Sequence, residues 1–281
     1  MGLFVEVVLP VLLVFLAGFG LQKWKRLNLQ SVSTVSIYVF TPCLVFKTLY
    51  DKELNLQYLK IAAFALILLL VLITIVKITV RIKKYPPSTE SGLILSTVFM
   101  NAGNYGSPVI LFAFGQAGFS YAIMFFVLES IIMNFFGVYY AARGQAGMKA
   151  ALRQVLMMPA TYAFLVALFV KVVHLPIPDN ALSIIDLLAQ AAIPCVMVVL
   201  GMQLAEINVR GFQWGKVSYS VVVRLLISPL IAWAITFVVP MDPLVEKVLI
   251  VLSAMPTAGS ITLYAVQFDS EPQMVSSTTL V

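Results

Sequence analysis

Long stretches of hydrophobic residues without any charged side chain recur along the whole chain. Four of them cover residues 61–76, 91–128, 225–241 and 248–268. A helix needs roughly 20 mostly apolar residues to cross a bilayer, whereas strands of a membrane barrel alternate over about 10 residues. Since these stretches are apolar on every face, they predict membrane-spanning helices. The predicted spans are residues 3–22, 30–50, 57–80, 91–115, 118–142, 157–174, 180–205, 216–239 and 244–268, with a further span beginning at 273.

Polar residues, glycine and proline interrupt two of these spans near their middles, at matching places in the two halves of the chain. One interruption runs over residues 96–108 and the other over residues 253–262, so that Met100 aligns with Met255. Paired interrupted helices in two repeats are the best sequence indication of a transporter's binding site. The candidate substrate-binding residues are therefore Asn101, Gly103, Asn104, Gly106, Ser107, Pro108, Pro256, Thr257, Gly259, Ser260 and Thr262.

A helix that breaks in mid-membrane exposes backbone N–H and C=O groups, which survive only inside protein or beside a watery cavity. Ser107 and Pro108 are typical of an N-cap and first residue of a second half-helix. Pro256 interrupts the other span. Half-helix N-termini carry partial positive charge and suit an anion. The alternative is that both interruptions are kinks filled by neighbouring helices, because proline and glycine are common in membrane helices.

Other prolines repeat in the same order. Pro10 pairs with Pro159 and Pro42 with Pro194. Each half, residues 1–142 and residues 157–281, then holds five spans, an odd number, so the second half enters the membrane from the opposite face. The predicted fold is an all-α polytopic membrane protein, a ten-span 5+5 inverted repeat with spans four and nine broken. We expect the last span to be truncated, because about nine residues remain for it where about 20 are needed.

The composition supports membrane insertion, and the distribution of charge predicts an orientation. Apolar residues make up 61% of the chain and charged residues 11%, with a mean hydropathy of +1.01; a soluble domain has about 25% charged residues. The net charge of +6 divides unequally between alternate loops. One side holds Lys23, Lys25, Arg26, Lys77, Arg81, Lys83, Lys84, Arg143, Lys149, Arg153, Arg210 and Lys216, and the other holds Lys47, Lys52, Lys60, Lys171 and Lys247. This bias predicts a multi-pass cell-membrane protein with its N-terminus outside the cytoplasm, and no basic cluster indicates nucleic acid.

Two ionisable residues lie well inside predicted spans. An intramembrane carboxylate is a functional candidate by default, and Glu129 can carry a coupling proton, help to hold a cation, or pair structurally. Arg224 can snorkel to the interface, pair with a carboxylate, or counter an anionic substrate. Both are candidates for coupling or charge relay, with H⁺ or Na⁺ as the coupling ion. Asp269 and Glu271 follow span nine, where we expect a solvated loop.

The sequence argues against an enzyme, an ATP-driven pump and a metal site. There is one histidine, no H-E-x-x-H motif and no G-x-x-x-x-G-K-[ST] motif for binding phosphates. Cys43 and Cys195 are isolated and make a poor metal site. We predict no cofactor and a transport process that is driven by gradients or runs downhill.

Four short motifs carry a family resemblance. They are Asn101-x-Gly103-Asn104-x-Gly106-x-Pro108, Leu200-Gly201-x-x-Leu204, Arg224-Leu-Leu-Ile-Ser-Pro229 and Ala254-Met-Pro256-Thr257-Ala. In this combination the chain resembles the auxin efflux carrier family, the plant PIN-like carriers and their prokaryotic relatives. The short central loop favours a bacterial or archaeal member, and such relatives are associated with small carboxylates such as malate or malonate.

The resemblance implies a fold similar to that of the bile acid:sodium symporters. Residues 1–50 and 157–205 would form a scaffold, often the surface of a homodimer. Residues 57–142 and 216–281 would form a transport domain that moves like an elevator. The substrate would bind where spans four and nine cross, with Asn101, Pro108, Pro256 and Thr257 shaping the crossing and Glu129 facing it.

The predicted function is therefore secondary transport of small organic anions, with the lipid bilayer and the anion as partners. Two alternatives remain open. A cation exchanger on the same fold would need a buried pair of carboxylates, and a channel would show a ring of like charges in a span.

Overall fold

The computed structural model describes residues 9–51, 56–142, 157, 159–206 and 213–280, and the regular structure in these residues is helical. The helices are α1 (Leu9–Lys25), α2 (Leu29–Val35), α3 (Thr41–Asp51), α4 (Leu56–Lys83), α5 (Pro87–Val98), α6 (Ser107–Ile132), α7 (Val138–Ala141), α8 (Pro159–Val172), α9 (Asp179–Ala205), α10 (Trp214–Val222), α11 (Ser228–Thr236), α12 (Pro243–Ser253), α13 (Ile261–Gln267) and α14 (Pro272–Leu280). The basic residues Lys52, Arg143, Lys149, Arg153 and Arg210, and the start of the first predicted span, lie outside the described residues.

Several helical segments are long and apolar enough to cross a membrane. They are Leu29–Asp51, Leu56–Lys83, Ala102–Ala141, Asp179–Ala205 and Trp214–Thr236. A shorter apolar helix covers Pro159–Val172. The prediction of an all-helical protein that spans the membrane several times is thus confirmed. The ten-span inverted repeat with two broken spans stays a prediction.

Four short π-helical turns interrupt these segments, and three of them precede a proline. They cover Ser36–Phe40, Ala102–Gly106, Met133–Gly137 and Val223–Ile227. Proline has no N–H, and its ring clashes with the carbonyl four residues earlier in an α-helix. The turn before Pro42, Pro108 and Pro229 therefore widens to bonds that span five residues. The Thr41 N–H bonds to the Ser36 carbonyl in this way, and the Ser228 N–H to that of Val223.

Gly115 separates two parts of α6. Its φ of 63° and ψ of −166° are not helical, and the helix is kinked there. A φ in this region disfavours residues that carry a Cβ. The sequence predicts a boundary between two spans at residues 115–118, and the kink lies at this point.

The chain forms two compact units. The first comprises the described residues of Met1–Asn55, Gly103–Val127 and Leu156–Ile207. Within it α1 packs along α9, and Phe15, Met197 and Leu200 form a buried cluster against which Tyr105 packs. Helix α3 packs on α8 and α9. The Lys171 ammonium donates to the carbonyls of Leu49 and Tyr50, at 2.9 and 3.0 Å, and so caps the end of α3.

The second unit comprises the described residues of Leu56–Ala102, Leu128–Val155 and Asn208–Val281. Helix α5 lies at its centre, where every residue from Ser91 to Val98 is buried. Helices α4, α10 and α14 pack around it. The predicted division into a scaffold and a transport domain, like that into repeats 1–142 and 157–281, stays a prediction.

Candidate functional site

Two non-helical segments of the second unit pair with each other through their backbones. One follows the end of α5, where Phe99 is extended, and the other lies between α12 and α13. Met100 and Thr257 form an isolated antiparallel bridge. The Asn101 N–H donates to the Pro256 carbonyl at 2.8 Å, and the Ala258 N–H donates to the Phe99 carbonyl at 3.0 Å. Each segment thus satisfies backbone groups that the helix ends leave open, as an apolar environment requires.

A side-chain hydrogen bond ties this backbone pairing to α5. The Thr257 hydroxyl is buried and donates to the Ser96 carbonyl at 2.6 Å. The Ser96 hydroxyl bonds to the carbonyls of Gly92 and Leu93 and lies 3.0 Å from the Ser220 hydroxyl. The last turn of α5 is therefore held by polar contacts from both α10 and the second segment.

Arg224 caps the carboxyl ends of both α5 and α12. Its side chain is 1% exposed and lies in the π-helical turn between α10 and α11. One terminal nitrogen donates to the carbonyls of Thr97 and Val98, each at 3.0 Å. The other donates to the carbonyl of Ser253 at 2.5 Å and to the hydroxyl of Ser228. A helix end leaves carbonyls without partners and carries partial negative charge, so one guanidinium stabilises two helix ends.

Glu129 is the carboxylate that faces this guanidinium. It is 6% exposed and lies in the last part of α6. The backbone N–H of Met100 donates to its carboxyl group, and Arg224 attracts it electrostatically. Its Oε1 atom is buried and has no hydrogen-bond partner. The hydrogen bonds of the Arg224 terminal nitrogens go to the helix ends and Ser228, so the two charges oppose each other without relying on a shared hydrogen bond.

Further polar contacts hold α13 against the end of the long segment that begins at Ala102. The Tyr264 hydroxyl donates to the Asn134 amide oxygen, and the Asn134 amide nitrogen donates to the Ser130 carbonyl at 2.7 Å. Tyr264 also lies close enough to Glu129 for the two to interact electrostatically. The Ser260 hydroxyl lies 3.5 Å from the sulfur of Met133.

The predicted site residues divide between the two units. Asn101, Pro256, Thr257, Gly259, Ser260, Thr262, Glu129 and Arg224 belong to the second unit, and Gly103, Asn104, Gly106, Ser107 and Pro108 belong to the first. The structure brings Asn101 and Thr257 together in the paired segments. The Thr262 hydroxyl bonds to the Gly259 carbonyl at 2.7 Å, and a Cβ added to Gly259 would meet no other atom within 4 Å.

One local prediction is wrong. Ser107 is not the cap of a new helix, because helical turns already extend back to Ala102. The π-helical turn accommodates Pro108, so the helix passes through this proline instead of starting at it. The non-helical residues of this interruption lie earlier, around Phe99.

A polar cluster that the sequence does not indicate lies at the ends of α5, α10 and α14. Glu271 lies in an ion pair with Lys216 at 2.9 Å and accepts a hydrogen bond from Thr89 at 2.7 Å. The Thr89 hydroxyl and the Lys216 ammonium hold the pKa of Glu271 below its usual range, against the effect of burial. Glu271 has a φ of 52° and lies directly before α14. The sequence predicts a solvated loop at Asp269 and Glu271 and does not indicate this contact.

The chain is similar in sequence to known membrane transport proteins. A family model described as "Membrane transport protein" matches residues 3–281. An "Uncharacterized transporter" of Methanothermobacter thermautotrophicus is 28% identical, over 97% of this chain and 91% of the relative. The "Uncharacterized transporter MJ1031" of Methanocaldococcus jannaschii is 24% identical, over 97% and 92%. A "Putative malonate transporter" of Rhizobium meliloti is 23% identical, over 89% and 81%. Each of these relatives is named as a transporter.

Proposed function

The chain belongs to the membrane transport protein family, that of the auxin efflux carriers, and on this premise we propose that it is a secondary transporter of small organic anions. The single observation that carries the proposal is the backbone pairing of residues 99–101 with residues 256–258. Non-helical backbone at membrane depth is tolerated only inside protein or beside a cavity. In secondary transporters such segments form the substrate site.

We assign the substrate site to the predicted residues around this pairing. Asn101 contributes a polar side chain, Thr257 holds the second segment in place through Ser96, and Gly259 leaves room beside them. Arg224 supplies a fixed positive charge behind the pairing, which favours an anion over a cation. The R. meliloti relative is named for malonate, so small dicarboxylates are the first substrates to test.

The proposed mechanism is alternating access in a ten-span inverted repeat, with spans four and nine broken at the paired segments. Residues 57–142 and 216–281 move as the transport domain against a scaffold of residues 1–50 and 157–205, which also forms a homodimer. The N-terminus faces away from the cytoplasm in the cell membrane. No cofactor takes part, and H⁺ or Na⁺ is the coupling ion, with Glu129 and Arg224 as the candidate groups.

The test is uptake of radiolabelled malonate, malate and indole-3-acetate into proteoliposomes, with empty liposomes as the blank. The variant is Asn101→Ala, and the matched control is Asn180→Ala, which removes an exposed amide at the start of α9. A hydrogen bond to a charged group is worth about 1.5–3 kcal/mol, so we expect Asn101→Ala to raise KM about tenfold or more. Uptake by Asn101→Ala at the wild-type KM and rate would refute the assigned site.

A further inference from the structure

We propose that Glu129 is the proton-binding group of this carrier and that each anion is carried together with one proton. The inference rests on the proposed function, because it names the coupling ion of the same site. We infer that the coupling ion is H⁺ and not Na⁺, and that Arg224 is a positioning residue and not a coupling group. The geometry around Glu129 carries it in three steps.

The first step concerns the burial of Glu129 and its open oxygen. The side chain is 6% exposed, and the Oε1 atom is buried with no hydrogen-bond partner. An ionised carboxylate oxygen without partners is costly at membrane depth, and burial costs much less when the carboxyl group is neutral. The group is therefore built to exist in both protonation states rather than as a permanent charge.

The second step concerns Arg224. Its terminal nitrogens bond to the carbonyls of Thr97, Val98 and Ser253 and to the Ser228 hydroxyl. These bonds do not involve the Glu129 carboxylate, so the two helix ends stay capped when Glu129 takes up a proton. The guanidinium thus positions α5 and α12, while its charge remains fixed.

The third step distinguishes a proton from a sodium ion. The groups that face Glu129 are the guanidinium of Arg224, the hydroxyl of Tyr264 and the backbone N–H of Met100. A bound metal cation needs several oxygen ligands and would be repelled by Arg224. The Tyr264 hydroxyl already donates to Asn134. A proton needs only the open Oε1 atom.

Charge then couples the proton to the anion. When Glu129 is ionised, its charge offsets that of Arg224; when Glu129 is protonated, the positive charge of Arg224 is uncompensated and attracts an anion. The Met100 N–H that donates to Glu129 belongs to the residue that pairs with Thr257. Anion binding and proton binding therefore favour each other by the same factor, since linkage is reciprocal. This produces symport, in which the anion and the proton move in one direction.

The experiment uses the full chain in proteoliposomes, with malonate as the probe and the membrane potential clamped at zero. The wild type should accumulate malonate about tenfold for each unit of imposed pH gradient, as one proton per anion requires, and an internal pH dye should report the proton. Glu129→Gln should lose this accumulation, and any malonate transport that it retains should no longer be driven by the pH gradient. Glu129→Asp should restore part of the accumulation. The control Glu246→Gln removes a carboxylate at the start of α12 and should behave as the wild type.

A second measurement does not depend on a variant that folds. Calorimetry of malonate binding to the wild type, in two buffers of different ionisation enthalpy, should report uptake of about one proton per malonate. Malonate transport without proton movement, accumulation driven by a Na⁺ gradient, or unchanged accumulation in Glu129→Gln would overturn the inference and leave the proposed function standing. If the wild type carries none of the organic acids, the proposed function fails, and this inference fails with it.

Discussion

The two units are packed by different means: the first contains a close contact between two helices at glycine residues, and the second contains buried charged and polar groups. In the first unit, α1 and α9 approach until backbone meets backbone. A Cβ on Gly18 would lie 2.2 Å from the Val198 carbonyl oxygen, and one on Gly201 would lie 2.0 Å from that of Phe15. Small residues at helix interfaces drive association in membranes through close packing. A polar contact lies at the end of this interface, where the Gln22 amide donates to the Glu206 carboxylate at 2.6 Å, but the close approach at the two glycines involves backbone and apolar groups alone.

The second unit has a charged interior instead. Arg224 and Glu129 are buried in it. Its two non-helical segments also need hydrogen-bond partners for their backbone groups, and they find them in each other. A buried charge is costly unless it is paired and hydrogen-bonded. The first unit thus relies on close packing at Gly18 and Gly201, whereas the second unit keeps Arg224 and Glu129 buried in its interior.

The largest effect should come from breaking the polar centre. Arg224→Leu leaves the carbonyls of Thr97, Val98 and Ser253 without their donor and leaves Glu129 without its opposing charge. Removal of one partner from a buried charge pair costs about 3–5 kcal/mol. We expect a large fall in the thermal unfolding midpoint in detergent, with Arg81→Leu at the exposed end of α4 as the control. A midpoint equal to that of the wild type would show that Arg224 is not what holds the two helix ends.

The next effect should come from crowding the apolar interface of the first unit. Gly201→Ala puts a methyl group against the Phe15 backbone, and such overpacking costs about 1–3 kcal/mol. Gly20→Ala is the matched control, since a Cβ there would meet nothing within 4 Å. Alanine favours a helix over glycine by about 1 kcal/mol, so the control should be neutral or stabilising in the same unfolding assay. Equal midpoints for the two variants would refute the close approach of α1 and α9.

The smallest effect should come from the polar cluster at the end of the second unit. Partly exposed ion pairs contribute about 0–1 kcal/mol, so Glu271→Gln should cost no more than that near neutral pH. Because the folded pKa of Glu271 lies below its usual range, the contribution is present above the ordinary glutamate pKa of about 4.3 and is lost as the pH falls through the folded pKa. The stability difference between the wild type and Glu271→Gln should therefore vanish in acid.

A double-mutant cycle isolates that pair from the rest of the cluster. Glu271→Gln, Lys216→Met and the double variant should show a coupling that is present at neutral pH and absent in acid. Purely additive effects at neutral pH would assign the low pKa of Glu271 to its hydrogen bonds from Thr89 and Gln213.

The sequence predicted membrane helices because they follow from local composition, while the two broken spans stay a prediction. Uncharged runs long enough to cross a bilayer are visible directly, and Asn101, Gly103 and Pro256 stand out within them. The partners of Arg224 could not be predicted in this way. Apart from the Ser228 hydroxyl, they are backbone carbonyls, which every residue carries, so only the fold decides which of them the guanidinium reaches. Sequence reasoning therefore left snorkelling, pairing and substrate binding open for Arg224.

The cap predicted at Ser107 failed for a related reason. A serine before a proline is typical of a helix start, but the same proline is tolerated inside a helix when the preceding turn widens. Which of the two occurs depends on tertiary packing at Ala102–Gly106. Glu271 was missed because its contact with Thr89 and Lys216 joins residues that are distant in sequence.

The central claim is that the paired segments at residues 99–101 and 256–258 bind an organic anion. The most direct measurement is whether malonate protects a cysteine introduced by Gly259→Cys from alkylation by N-ethylmaleimide. The two native cysteines are first removed by Cys43→Ala and Cys195→Ala. Gly215→Cys is the control, since a Cβ at either glycine meets open space. We predict that malonate slows alkylation of the thiol introduced at position 259 and does not affect the one at position 215. Equal alkylation rates at position 259 with and without malonate, in protein that still transports malonate, would contradict the account.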